Sequence, residues 1–325
     1  MNTGVKITAF AAALAAAFGT AYGVGQGMDP VVAGAESAQH GEHAAGDQAE
    51  AGGSDEGHAE DGGATPSGPG GLQVSEAGLT LDLETQRLAA GRSSELRFAV
   101  VDDKSDRNVT AFRREHGKEL HLIVASRDLT TYRHLHPVRA ADGTWSVPVR
   151  LPEAGGYRVF ADFTPDTKGA RGLTLGADLA VSGASEPEPL PARSTTATVD
   201  GYEVTLTGAL RPGADSELVL AVAKDGKPVT DLQPYLGAYG HLVALRAGDL
   251  AYLHVHPNGE PGDGTTKPGP EISFTATAPS KGAYRLFLDF QHEGKVRTAA
   301  FTVHAGGTTA EQPPADGEEA PGHEH

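Results

Sequence analysis

From Leu79 to His304 short apolar runs alternate with polar residues and are separated by Gly, Asp and Pro turns at intervals of roughly eight to twelve residues. S-E-L-R-F-A-V (94–100) and G-G-Y-R-V-F-A-D-F (155–163) show the two-residue period of half-buried strands. The pattern predicts strands at Leu79–Leu83, Glu95–Val101, Leu120–Ser126, Thr131–His136, Thr144–Leu151, Tyr157–Phe163 and Asp178–Ser182. About seven short strands at this spacing predict an antiparallel β-sandwich.

The whole pattern then recurs. S-E-L-V-L-A-V (216–222) answers S-E-L-R-F-A-V, V-T-D-L (229–232) answers V-T-A-F (109–112), and G-A-Y-R-L-F-L-D-F (282–290) answers G-G-Y-R-V-F-A-D-F. The expected fold is all-β: two tandem immunoglobulin/cupredoxin-like β-sandwiches with disordered acidic tails. Repeat 1 is assigned to 71–183, a proline-rich linker to 184–194 and repeat 2 to 195–304.

In each repeat one hairpin carries three histidines at the same separations, H-L-I-V-…-H-L-H-P from His121 to Pro137 and H-L-V-A-…-H-V-H-P from His241 to Pro257. Even-membered turns centred on Asp128-Leu129 and Gly248-Asp249 set His121 opposite His136 and His241 opposite His256, with His134 and His254 on the diagonals. The tyrosines of G-x-Y-R-x-F-x-D-F suggest the tyrosine corner of a sixth immunoglobulin-type strand, antiparallel to the third strand that begins at His121. Tyr157, Val159, Ala161 and Phe163 then face the core, and Asp162 approaches His121 on the outer face, as Asp289 approaches His241. The expected metal sets, one per sandwich, are His121, His134, His136 and Asp162, then His241, His254, His256 and Asp289. Imidazole with carboxylate suits copper(II) or zinc, and the aspartate can instead orient one imidazole. The competing reading is a polar ladder of structural histidines at the edge of the sheet.

Charge changes the picture only at the ends. Residues 26–70 hold nine acidic and no basic side chains and 305–325 hold five acidic and none basic, so the net charge of −17 belongs largely to the tails. With few large apolar residues, 26–70 reads as a disordered acidic tether and 305–325 as a disordered acidic tail, both bearing histidines that bind divalent metal weakly at most. Such a surface repels nucleic acid, and no basic patch offsets it. Residues 1–25 read as a signal peptide or signal anchor, with a membrane tether through residues 7–25 as the second outcome. Either outcome places the chain outside the cytoplasm. It has no cysteine, so no disulfide supports the sandwiches.

H-L-[IV], H-x-H-P and G-x-Y-R-[VL]-F resemble motifs of exported tandem β-sandwich proteins of actinobacterial type and, more distantly, of YtkA-like and cupredoxin-like domains. That resemblance implies extracytoplasmic copper or heavy-metal handling. A blue-copper centre needs a cysteine thiolate, and the chain has none; its two methionines, Met1 and Met28, lie outside both repeats. The leading expectation is therefore sequestration or delivery of copper or zinc. The alternative is a tandem immunoglobulin-like module whose outward His, Phe and Tyr face docks an extracytoplasmic protein partner; the apolar outer positions Ile123, Phe160, Val243 and Phe287 suit such docking or packing between the two repeats. A metal-dependent enzyme is a third, weaker reading, because no serine-histidine-aspartate order, phosphate loop or paired-carboxylate cleft is recognisable.

Overall fold

A computed structural model describes residues 68–306, apart from His254 and the side chain of His256. The N-terminal segment expected at 1–25 and nearly all of both acidic tails lie outside the described residues.

Each repeat is a two-sheet sandwich, and every regular element among the described residues is a strand. In repeat 1 one sheet runs β1 (Ser75–Glu76), β2 (Leu79–Asp82), β4 (Ser93–Asp102), β9 (Trp145–Arg150), β8 (Val138–Arg139), with β5 (Arg107–Asn108) added to β4. The other runs β3 (Arg87–Ala89), β11 (Leu173–Ser182), β10 (Gly155–Phe163), β6 (His121–Ser126), β7 (Tyr132–Leu135). Repeat 2 has β12 (Thr196–Val199), β13 (Tyr202–Thr207), β14 (Asp215–Lys224), β19 (Glu271–Thr277), β18 (Val255–Pro257), with β15 (Lys227–Pro228) on β14. Its second sheet runs β17 (Tyr252–Leu253), β16 (Gly240–Arg246), β20 (Gly282–His292), β21 (Lys295–Ala305).

Strand alternation decides what each sheet buries. On β10, Tyr157, Val159, Ala161 and Phe163 enter the repeat 1 core with Leu122 and Val124 of β6. Tyr284, Leu286, Leu288 and Phe290 of β20 do the same in repeat 2. The Tyr157 hydroxyl donates to the Glu153 carbonyl at 3.0 Å and the Tyr284 hydroxyl to that of Ser280 at 2.8 Å, the tyrosine-corner bond anticipated from the motif.

The outward positions of the same strands form a third core. Ile123, Ala125, Leu129, Tyr132 and Phe160 of repeat 1 pack against Val243, Leu245, Leu250 and Phe287 of repeat 2, so the β6/β10 and β16/β20 sheets meet face to face. Tyr132 stacks on Phe287 with ring centroids 4.1 Å apart, and Phe160 meets Tyr252 at 5.8 Å. Each such side chain taken from water contributes about 1.5–3 kcal/mol. Packing between the repeats thus covers Ile123, Phe160, Val243 and Phe287, the second of the two uses expected of these outer positions. A strap from Gly70 to Leu72 adds to the contact. Arg158 donates to the carbonyls of Gly71 and Leu72, while the Tyr252 amide donates to the Gly70 carbonyl.

Candidate metal centre

Register brings the first histidine set together. Leu122 pairs with Leu135 and Ile123 with His134, so one further step sets His121 opposite His136. The turn works because Leu129 takes a left-handed φ of 60° and the Asp128 carboxylate accepts from the Ser126 and Thr130 hydroxyls, at 2.5 and 2.8 Å. One nitrogen from each of His121, His134 and His136 lies within 4.8 Å of the others.

Hydrogen-bond partners decide which nitrogens can bind an ion. His121 Nε2 faces the Glu115 carbonyl at 3.3 Å, and His134 Nδ1 faces the Asp289 carboxylate at 2.8 Å. Both partners can only accept, so those nitrogens carry hydrogen, an assignment that rests on the partners. The remaining nitrogens, His121 Nδ1 and His134 Nε2, stand 3.1 Å apart. On neutral rings they would present lone pair to lone pair. Either a proton on His134 or a metal ion reconciles them. Two nitrogens about 2.0–2.1 Å from a tetrahedral zinc lie roughly 3.3 Å apart, close to the spacing seen. His136 Nε2 is buried beside them and has no hydrogen-bond partner among the described residues.

The electrostatics favour neutral imidazoles. Burial, with His134 adjacent, pushes His121 down to about 3, and burial with His134 and Lys118 nearby pushes His136 down to about 4. His241 is lowered to about 4, chiefly by burial. Neutral rings near pH 7 are the protonation state a metal requires.

The aspartates behave differently from one another. Asp162 is the register partner of His121, as expected, but its carboxylate accepts from Thr174 Oγ1 at 2.9 Å. Burial raises it to about 6. Asp289 is the register partner of His241, yet its side chain reaches across the interface to His134 of the other repeat and also accepts from Thr298 Oγ1 at 2.5 Å. A carboxylate on the far nitrogen of a ligating histidine is a common way to fix its tautomer.

The sequence reading gave each sandwich its own set; two members of the second set, His241 and Asp289, stand beside the cluster of repeat 1. The His241 ring lies 6.2 Å from those of His121 and His134. A correction concerns His256. The expected pairing with His241 is not made: β17 leaves β16 after Leu253, and the His256 backbone pairs with Thr275 on the opposite sheet. His254 and the His256 side chain lie outside the described residues. Sequence reasoning also missed His116, on the turn before β6, whose ring is 5.3 Å from His241. The signal was available, since E-H-G-K brings a further histidine to within five residues of His121. Arg158 donates to the Asp178 carboxylate at 2.7 Å, whereas Arg285 donates to Thr302 Oγ1 at 2.9 Å. The cluster opens on a cleft of about 660 Å³ whose walls include His116, Asp162, His241 and Tyr252.

Comparisons with solved structures return matches at low similarity, from a bacterial adhesin to a titin tandem and a fish transglutaminase. The Escherichia coli adhesin FdeC is 15% identical, with 72% of this chain and 65% of that one covered and a TM-score of 0.23. A putative membrane anchored protein from Corynebacterium diphtheriae is 9% identical, with coverage of 72% and 60% and a TM-score of 0.21. InvD of Yersinia pseudotuberculosis is 12% identical, with coverage of 74% and 62% and a TM-score of 0.24. The matches span less than two thirds of each of those chains, and scores this low give no basis for transferring function. No curated protein matches the sequence. The YtkA-like and cupredoxin-like resemblance extends no further than the motifs it was drawn on. A family profile described as a domain of unknown function, DUF8832, matches residues 73–171 and 197–307, more than half of the chain and most of both sandwiches. The chain therefore belongs to the DUF8832 family.

Proposed function

We propose that the protein binds a divalent transition-metal ion, zinc or copper(II), outside the cytoplasm, and serves in its sequestration or delivery. His121, His134 and His136 are the ligands and Asp289 the carboxylate that orients His134. The observation that carries this reading is the 3.1 Å approach of His121 Nδ1 to His134 Nε2, each held by an acceptor on its other nitrogen, with the unpartnered His136 Nε2 beside them. A shared proton joins two nitrogens; three convergent nitrogens fit an ion. Closing a separation of up to 4.8 Å to that ligand spacing takes a ring shift of at most about 1.5 Å. Export rests on the apolar N-terminal segment, which either is cleaved or holds the chain to the membrane.

The test uses the full chain. Zinc or copper(II) should raise the unfolding temperature, because a ligand that binds only the folded form stabilises it. His121→Ala combined with His134→Ala should remove that rise. An unchanged rise in the double variant sinks the proposal and points to the histidines of the tails.

A second reading has its own support. The His121–His134–Asp289 chain joins the two sandwiches with a proton alone, as structural histidines would in an immunoglobulin-like module that binds a protein partner elsewhere on its surface. It expects no metal-dependent stabilisation.

A further inference from the structure

We infer that His241 supplies the ligand that repeat 2 contributes, so that the ion is held by imidazoles of both sandwiches and fastens them together. This rests on the metal reading above and deepens it: the site prefers cations that accept four imidazoles tetrahedrally, zinc first among them.

His241 is the counterpart of His121 in local architecture. Each stands at or next to the start of its strand, after a turn closed by paired backbone bonds, Glu115 with Lys118 in repeat 1 and Tyr235 with Ala238 in repeat 2. His116 and Leu236 take the same left-handed φ in those turns, 50° and 52°. Both rings are then tethered alike, His121 Nε2 to the Glu115 carbonyl and His241 Nε2 to the Tyr235 carbonyl at 2.8 Å. The tether hands the lone pair to Nδ1 in each case. His241 Nδ1 has no hydrogen-bond partner among the described residues, and the side chain lines the same cleft as His121 and His134.

Distances suit the role. An imidazole centroid sits about 3.2 Å from a zinc it ligates, so tetrahedral ligands have centroids about 5.3 Å apart. Within the triad the separations are 5.3, 5.5 and 4.8 Å, and His241 stands at 6.2 Å from two of its rings, about 1 Å short of a place in the shell. His116 is the competing candidate. It is exposed, at 5.3 Å from His241 and 6.3 Å from His121, and is placed to contact solvent at the cleft mouth. Three histidines from one repeat would leave a coordination position open; His241 closes it from the other repeat.

Cobalt(II) titration of the full chain tests this, since four-coordinate cobalt absorbs visible light far more strongly than six-coordinate cobalt in the tails would. The wild type should take up one equivalent with an intense band. His241→Ala, with water taking the vacated position, should shift the band while keeping four-coordinate intensity and should bind zinc at least about tenfold more weakly in chelator competition, while His116→Ala should match the wild type. Because His241→Ala could disturb folding, the wild type is also followed by long-range proton–nitrogen NMR of its histidines, in which zinc should shift four buried ring nitrogens. An unshifted band with intact affinity in a folded His241→Ala protein, only three shifted nitrogens, or weakened binding in His116→Ala instead, overturns the inference while leaving metal binding standing. No band in the wild type overturns both.

Discussion

In repeat 1 the returning strand β7 stays on β6 through Leu135, whereas in repeat 2 β17 leaves β16 after Leu253 and the chain continues as β18 on the opposite sheet. The two hairpins share their register up to that point, and their turns place Leu129 and Leu250 at the same left-handed φ, 60° and 63°. What differs is where the opposite sheet's edge captures the returning chain. In repeat 2, Val255, His256 and Pro257 pair with Ala276, Thr275 and Phe274 of β19; in repeat 1, capture by β9 begins only at Val138. An edge strand exposes unpaired backbone donors and acceptors, and two edges compete for one segment. Similar motifs therefore keep the returning strand on β6 through Leu135 in one repeat and hand Val255–Pro257 to the opposite sheet in the other.

The aspartates sharpen the contrast, and removing Asp289 should have the largest effect. Its pair with His134 is buried, with side-chain exposures of 4% and 6%, so Asp289→Ala strands a histidine and should cost about 3–5 kcal/mol in chemical denaturation. A loss under 1 kcal/mol would show that the interface does not depend on the pair. Next comes the aromatic contact: Phe287→Ala, which empties the stack on Tyr132, should cost about 3–4 kcal/mol, with Phe160→Ala toward the lower end of that range because its partner Tyr252 is farther away. Equal losses would argue against that difference. Thr298→Val removes a hydroxyl from the Asp289 carboxylate and should cost about 1.5–3 kcal/mol.

The smallest effect has the opposite sign. Asp162 has a threonine as its hydrogen-bond partner but no histidine among the described residues, and burial raises it to about 6, above the ordinary aspartate value of 3.8. The folded state then binds more protons between those values, so this group loses stability as pH rises through the window. Asp162→Asn should raise the melting temperature slightly at pH 7 and lose that advantage by pH 4. The histidines run the other way: the unfolded chain protonates near 6.5, while His121, His136 and His241 do so only at about 3 to 4. Metal-free protein should therefore lose stability as pH falls from 6.5 toward 4, and His121→Gln should flatten the fall. A wild-type profile level across that range would contradict the burial assigned to these rings.

Much of this was legible before any coordinates. The two-residue period defined β6 and β10, the G-x-Y-R motif fixed which β10 side chains face the core, and an even-membered turn set His121 opposite His136. These are local properties, because alternation and turn parity are written into a few consecutive residues. The apolar outer positions also signalled that some surface must cover them.

Tertiary structure decided what covers them. Only the packing of the two sheets turned Asp289 from a neighbour of His241 into the partner of His134, and brought His241 toward a triad more than a hundred residues away from it along the chain. Only competition between two sheet edges sent the His256 backbone to Thr275. Strand pairing is read from spacing along the chain, but contacts between surfaces depend on the shape and orientation of whole sheets, which no short stretch encodes.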